Sequence, residues 1–198
     1  MRSFSWKGSF ACLKKASPED SRQIARWEQE GIFEHLHMGS FPKNREEIIQ
    51  EIQKSQNIEG KNYFFIEDFA GKPIGLIKTN GVDCKNGIFQ YSIFVEEAFR
   101  RQSYGADAVE ILLKFYFQEL RFQKVSVFIP AFNKPAALFH EKFGFVLEGR
   151  MRNMIFTRGQ FFDLFLYGMT GEEFQNLHME KNGAEMQISN CLLHNEGP

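Results

Sequence analysis

A basic loop carries the residue types in this chain that best suit anion binding. Arg100 and Arg101 come just before Gly105, between a strand-like and a helix-like segment. The first turn of a helix leaves backbone N–H groups without partners and carries partial positive charge, so this junction could hold a phosphate or pyrophosphate. The alternative is an ordinary strand-to-helix loop with solvated arginines.

Cysteine and histidine side chains do not indicate a metal centre. Cys12, Cys84 and Cys191 are scattered and odd in number. This pattern predicts free thiols in a reducing compartment rather than a disulfide framework. The 5 histidines do not combine with the cysteines at any familiar zinc spacing. We therefore expect no metal.

Two segments must position the basic loop. Residues 88–95 predict a strand, and residues 104–120 predict a helix. The helix is indicated because apolar residues recur at the spacing of one helical face. These residues are Val109, Leu112, Leu113, Tyr116, Phe117 and Leu120.

The remaining segments complete an alternating pattern. Strands are predicted at 8–15, 63–66, 74–78, 124–130, 145–157 and 160–169, the last two joined by an Arg-Gly turn. Helices are predicted at 17–30, after Asn44, and at 133–144 with Asn133 as its cap. The order β-α-α-β-β-β-α-β-α-β-β predicts an α/β fold whose mixed, mostly antiparallel sheet is flanked by helices.

Composition limits the function classes. The chain has 198 residues, is 43% hydrophobic and carries 23 Phe, which favours one domain, placed at 1–175. The polar residues 176–198 are interpreted as a tail, a packed extension or a dimer contact. The net charge of −1 disfavours nucleic acid and acidic membranes as partners. With no apolar run long enough to span a bilayer and no signal peptide, the expected location is the cytoplasm.

Three motifs together resemble the GNAT acyl-CoA N-acetyltransferases, and among them the ribosomal-protein-alanine and spermidine acetyltransferase branch. Residues 100–105 resemble the family's coenzyme A loop. Residues 133–145 are similar to its Asn-x-x-Ala…Gly-Phe helix, and residues 148–163 to the branch's closing hairpin. The clear match covers about 87–174.

The resemblance implies acetyl-CoA as acyl donor. The pyrophosphate would lie on backbone N–H groups of the loop, and the pantetheine arm along the end of the fourth strand, where the Val95 amide would serve as oxyanion hole. The implied cofactor-binding residues are Ile93, Phe94, Val95, Arg100, Arg101, Gln102, Ser103, Tyr104, Gly105, Ala106 and Asn133.

Two positions depart from the family pattern. Ser103 stands where the family has a glycine, and serine fits there if its φ stays negative. His140 stands where a tyrosine usually protonates the leaving thiolate. It could donate a proton as imidazolium or through N–H. The alternative is that His140 is a surface helix residue and that water is the acid.

The implied reaction is direct attack of a primary amine on acetyl-CoA through a tetrahedral intermediate. Glu34, His35 and His37 are candidates for the base or for substrate binding, and Gln90 stands where some polyamine-acetylating members have glutamate. The acceptor stays open: a ribosomal-protein N-terminus, a polyamine, an amino sugar or a small antibiotic amine. Asp163 recurs in the branch, and a pairing with a nearby arginine is the simpler role.

Two other functions remain open at this stage. Ser103 and the missing tyrosine would permit a catalytically degenerate module that binds acyl-CoA without turnover. A nucleotide other than coenzyme A could also occupy the basic loop. A homodimer is a further expectation.

Overall fold

The computed structural model describes residues 6–29, 43–54, 62–177 and 179, and its centre is a seven-stranded sheet. The strands are β1 (Cys12–Lys15), β2 (Tyr63–Glu67), β3 (Pro73–Asp83), β4 (Ile88–Val95), β5 (Lys124–Pro130), β6 (Val146–Thr157) and β7 (Gln160–Thr170). Their order across the sheet is β1-β2-β3-β4-β5-β7-β6. Within the described strands only β4 and β5 pair in parallel, so the predicted mixed, mostly antiparallel α/β fold is confirmed.

Helices cover both faces of the sheet. They are α1 (Ser21–Gln29), α2 (Arg45–Lys54), α3 (Tyr104–Lys114) and α4 (Lys134–Phe143), and residues 171–177 are also helical. One core cluster joins α3 to the face of the sheet that includes Phe89 and Val125. A second cluster joins α1 and α2 to the opposite face, where Trp27 packs against Phe65 and Phe94. Among the described helices, none is both long and apolar enough to cross a bilayer.

The predicted helix starts have local causes. Asn44 and Glu47 exchange hydrogen bonds, with Asn44 Oδ1 accepting from the Glu47 amide at 2.9 Å and Glu47 Oε2 accepting from the Asn44 amide at 2.8 Å. Before α1, a 3-10 turn runs over Pro18–Asp20, and Asp20 accepts from the amide of Ser17 at 2.9 Å. These reciprocal bonds satisfy N–H groups that a helix terminus otherwise leaves unpaired.

Two predicted strand boundaries were wrong. The first strand begins at Cys12 rather than at residue 8, because the amides of Ser9 and Phe10 bond to the Asp107 carboxylate instead of to a strand. The third strand continues to Asp83 rather than ending at residue 78. Its pairing with β4 passes through an irregularity after Asn80, beyond the end of the predicted strand.

The predicted long helix also changes form near its end. After α3 the chain makes a π-helical turn over Phe115–Glu119. This wider turn lets three successive aromatic residues pack: Phe115 lies on Trp6, Tyr116 stacks on Phe89 and Phe117 contacts Phe174.

The closing hairpin follows the prediction. Arg158 and Gly159 both have positive φ, 52° and 75°, as a two-residue hairpin turn requires. Asp163 accepts from Arg150 and, at 2.9 Å, from the Asn153 amide, which together lower the pKa of its carboxyl. The pairing role of Asp163 is thus confirmed.

Candidate active site

A gap opens between β4 and β5 where the two strands separate. They pair only through Ile88 with Lys124, Phe89 with Val125 and Gln90 with Ser126. Beyond Gln90 the described strands make no further pairs with each other, although β4 continues to Val95. On the β4 side, the gap is therefore lined by backbone that makes no strand pair with β5.

Two amides of β4 point into this gap. The Glu96 amide donates to Ile74 O at 2.9 Å, which places it on the β3 side. Because N–H directions alternate along an antiparallel strand, the amides of Val95 and Ile93 face the opposite way, into the gap. The amide of Phe94, predicted to contact cofactor with them, instead faces β3. The carbonyl of Val95 is occupied, since it accepts from Arg100 Nε at 3.0 Å.

The loop before α3 presents a row of amides. Arg101 and Ser103 have φ of 61° and 65°, and alternation of left- and right-handed residues turns consecutive N–H groups to one side. Within the described chain, the six amides from Arg101 to Ala106 make no backbone hydrogen bond. The condition under which serine was expected to fit, a negative φ, is not met at Ser103. Serine here adopts the conformation for which the family uses glycine.

Helices α3 and α4 meet at the open end of the gap. A Cβ placed on Gly105 would lie 3.5 Å from Val95 and 3.9 Å from Phe139, so the helix start packs closely on both elements. Asn133 caps α4, with its Oδ1 accepting from the Ala136 amide at 3.3 Å. The cap role predicted for Asn133 is confirmed.

His140 lies on the inner face of α4 and is 4% exposed. The alternative that it is a surface residue was therefore wrong. Its Nδ1 lies 2.8 Å from Ala136 O. Since a carbonyl can only accept, Nδ1 carries the proton and Nε2 carries a lone pair. Burial lowers the pKa of His140 to about 4, so donation as imidazolium at neutral pH is disfavoured.

A polar row crosses the other face of the sheet, beneath α1 and α2. Asn80 pairs with Gln90 and Gln90 with Ser126, so the three side chains lie on one face at one level. Asn80 Oδ1 is buried and has no hydrogen-bond partner among the described residues. The row and α4 thus lie on opposite faces of the sheet.

The described carboxylates on this face are already engaged. Lys43 and Tyr63 bond to Glu51, and against the opposing effect of burial they lower its pKa to about 2. Glu96 accepts from Trp27 Nε1 at 2.8 Å. Glu148 pairs with Lys124. Because each of these three carboxylates is already bonded to a neighbouring side chain, none of them is positioned as a free base for the reaction.

Of the features predicted from the sequence, the basic loop follows the fourth strand, and Asn133 begins α4, whose Phe139 lies near Gly105. Glu34, His35 and His37, predicted to line the acceptor side, lie outside the described residues. Asn80 was not singled out, because only the strand register places it beside Gln90. Tyr91, the first residue of β4 beyond the last pair with β5, was also missed. In the sequence it is simply an inward-facing position of a strand.

Comparisons with known proteins agree with this geometry. Residues 11–146 match the family model described as an acetyltransferase (GNAT) domain. The chain is 31% identical over 173 residues to YokL, an SPbeta prophage-derived N-acetyltransferase of Bacillus subtilis, covering 87% of this chain and 97% of that protein. It is 21% identical over 171 residues to YdaF of the same organism, whose name marks it as a candidate ribosomal N-acetyltransferase, with coverage of 82% and 92%.

Solved structures show the same fold. The spermidine N-acetyltransferase of Vibrio cholerae, in a structure with CoA and spermine, superimposes with a TM-score of 0.76 at 17% identity. The superposition covers 83% of this chain and 98% of that one. From the family match and the 31% identical relative, we conclude that this chain belongs to the GNAT acetyltransferase family and is an acyltransferase that uses acetyl-CoA as its acyl donor.

Proposed function

We propose that the protein transfers the acetyl group of acetyl-CoA to a primary amine by direct attack through a tetrahedral intermediate. The observation that carries this proposal is the gap between β4 and β5, into which the amides of Ile93 and Val95 point. Unpaired, fixed N–H groups are what a developing oxyanion needs. The amide row from Arg101 to Ala106 would hold the pyrophosphate at the open end of the same gap.

The residues around the gap have separate tasks in this proposal. Val95 N–H donates to the carbonyl oxygen of the acyl group, and Ile93 N–H is the next such donor along the strand. Arg100 is bonded to Val95 O through Nε, which fixes the backbone at this point, while its exposed guanidinium contributes positive charge near the phosphates. Asn133 holds the start of α4 against the gap.

The acceptor would enter over the polar row of Asn80, Gln90 and Ser126. Asn80 Oδ1 can accept a hydrogen bond from an approaching amine. With Glu51, Glu96 and Glu148 engaged, the ammonium proton would leave through water, or through Glu34, His35 or His37, which stay predictions. A small amine, a polyamine or a protein N-terminus could occupy this face, and a homodimer also stays a prediction.

A panel of amines with acetyl-CoA tests the proposal. The panel contains spermidine, an amino sugar and a peptide with the N-terminus of a ribosomal protein, and release of free thiol is measured. Release with at least one amine is expected. Val95→Pro removes the amide that faces the gap without removing a bond to β3, so it should lower kcat by about 100-fold or more. Val95→Ala keeps the amide and is the matched control.

Two outcomes would replace the proposal. A thermal shift with coenzyme A but no thiol release across the panel would identify the acyl-CoA-binding module. This alternative is supported by the environment of His140, since burial lowers its pKa to about 4 and its Nδ1 is bonded to Ala136 O. A shift with ATP and none with coenzyme A would instead identify a nucleotide-binding protein.

A further inference from the structure

Strand pairing holds the backbone at Val95 from one side only. On the β3 side, Val95 lies opposite Gly75 in the sheet register. On the gap side, β4 makes no pair with β5 beyond Gln90 in the described chain, so no ladder bond reaches Val95 there. An amide that must meet a developing charge has to be held close to one direction, because a displacement of about 1 Å can cost a factor of about 100 in rate. Contacts outside the ladder are therefore needed to fix the backbone at this point.

Trp27 of α1 contacts both residues that flank Val95 in the chain. Phe94 belongs to the core beneath α1 and α2, whereas the Val95 side chain packs on the core of the opposite face. The ring centres of Trp27 and Phe94 lie 5.5 Å apart at an angle of 62°. Trp27 Nε1 also donates to Glu96 Oε1 at 2.8 Å. One side chain of α1 therefore spans the residue whose amide faces the gap.

Two side chains donate to the Glu96 carboxylate, and Trp27 is the one suited to fix it. Trp27 is 0% exposed, and a buried indole N–H usually has a hydrogen-bond partner. The second donor, Arg26 Nη2, lies 3.1 Å from the same oxygen, but the Arg26 side chain is 54% exposed. Ion pairs with so much exposure contribute little, because water screens them and the long side chain must be ordered.

The backbone of Glu96 passes this restraint to Val95. Its amide donates to Ile74 O at 2.9 Å, and its carbonyl accepts from the Phe99 amide at 2.9 Å. Fixing the side chain as well leaves the residue after Val95 little freedom to rotate. Through Phe94 and Glu96, both neighbours of the gap-facing amide are thus held by α1.

We propose that Glu96 and Trp27 are positioning residues of acetyl transfer, which hold the backbone on either side of Val95 so that its amide stays directed into the gap. This role rests on the proposed function, in which the Val95 amide donates to the carbonyl oxygen of the acyl group. Neither side chain exchanges a proton with the reactants. Their contribution is the fixed direction of the donor before the oxyanion forms.

Glu96→Leu, compared with Glu96→Gln and Arg26→Ala, tests the assignment. Glu96→Leu should fold, because the Gln23 amide oxygen lies 3.2 Å from Trp27 Nε1 once the Gln23 side chain is turned to satisfy both of its ends. With the best amine of the panel, we expect kcat to fall by about tenfold at an unchanged Kd for coenzyme A, which lacks the acyl carbonyl. Glu96→Gln keeps a carbonyl oxygen for the indole and should restore most of kcat. Arg26→Ala removes only the exposed donor and should keep kcat within about threefold.

A double variant tests whether the two residues act as one unit. Trp27→Phe removes the indole N–H and keeps an aromatic ring at this position. Because Glu96 acts through Trp27, adding Glu96→Leu to Trp27→Phe should lower kcat by no more than about twofold further. Independent roles would multiply two separate losses and would overturn the positioning role.

The NMR signal of the Val95 amide gives a measurement that does not depend on turnover. Acetyl-CoA should shift this signal more than coenzyme A does, because only acetyl-CoA brings a carbonyl oxygen to the amide. Glu96→Leu should lose most of this difference, whereas Arg26→Ala should keep it. A loss of stability alone would leave the difference unchanged in the folded protein.

The outcomes separate this inference from the proposed function. A Glu96→Leu protein with kcat within about threefold of the parent, or one whose loss Glu96→Gln does not restore, overturns the positioning role and leaves the acetyltransferase intact. A parent that releases no thiol with any amine overturns the proposed function, and the Val95 signal then decides alone. Equal shifts in parent and Glu96→Leu overturn the positioning role, and no shift in the parent overturns the Val95 donor together with it.

Discussion

Asp107 Oδ2 lies 2.8 Å from the amide nitrogen of Ala11, and the same carboxylate accepts from the amides of Ser9 and Phe10. One side chain in the first turn of α3 therefore holds the loop that enters β1. The fit is tight, since a Cβ on Gly8 would lie 2.3 Å from this carboxylate. Asp107 thus links the start of the site-forming helix to the far edge of the sheet.

Asp107→Ala should destabilise the protein by about 2 to 3 kcal/mol, because it leaves three backbone N–H groups without their acceptor. The free energy of unfolding in urea measures this loss. Asp107→Asn keeps one carbonyl oxygen and should lose only part of that stability. An Ala variant as stable as the parent would show that water replaces the carboxylate without cost.

Ser103 is expected to tolerate glycine but not a β-branched residue. At φ 65° a β-branched side chain clashes with the backbone, so Ser103→Val should distort the amide row from Arg101 to Ala106. We expect the Kd for coenzyme A, measured by calorimetry, to rise by about tenfold or more. Ser103→Gly should bind within about threefold of the parent. Equal binding by both variants would exclude this loop from cofactor recognition.

His140 should make folding sensitive to mild acid. Its pKa is about 4 in the folded protein, against an ordinary value near 6.5 in the unfolded chain. Between these values the unfolded chain binds a proton that the folded protein does not. The contribution is therefore complete above about pH 6.5 and is lost as the pH falls toward 4, by about 2 kcal/mol near pH 5.

His140→Leu provides the comparison for this pH effect. Because other groups titrate alike in both proteins, the difference in unfolding free energy between parent and variant isolates His140. The parent should lose stability relative to the variant as the pH falls from about 7 to about 5. A constant difference across this interval would mean that His140 is solvated in solution.

Gly75 should resist substitution because of its neighbour across the sheet. A Cβ at this position would lie 2.4 Å from Phe94 O, so Gly75→Ala must push β3 away from the end of β4. We expect a loss of about 2 kcal/mol or more and weaker binding of coenzyme A. Gly149→Ala is the control, because its nearest atom would lie at 3.9 Å. Unfolding in urea and calorimetry measure the two effects.

Local patterns predicted most of the fold because its elements carry strong local signals. The apolar spacing of Val109, Leu112 and Tyr116 indicated α3, and Arg158-Gly159 indicated the closing turn. The start of β1 could not be predicted, since it is decided by the side chain of Asp107, almost a hundred residues away in sequence. The π-helical turn likewise depends on which aromatic residues are available to pack against it.

The candidate site also combines features that the local sequence determines with features that depend on residues far apart in the chain. The loop from Arg100 to Gly105 is contiguous, so its motif was visible in the sequence. The ring contact between Tyr91 and His140 joins a strand to a helix and exists only once the two elements pack together. The protonation state of His140 was also hidden, because it depends on burial and on the Ala136 carbonyl. The sequence therefore indicated the loop of the candidate site but not the protonation state of His140.

The short pairing between β4 and β5, three residues on each strand, affects the order in which the chain can fold during synthesis. Strands β1 to β4 form a ladder in which each pairs with its neighbour in sequence, and the remaining strands form a second ladder from residue 124 onward. A nascent chain can therefore complete the first ladder before the second has left the ribosome. The gap between β4 and β5 would then form only when the two ladders join.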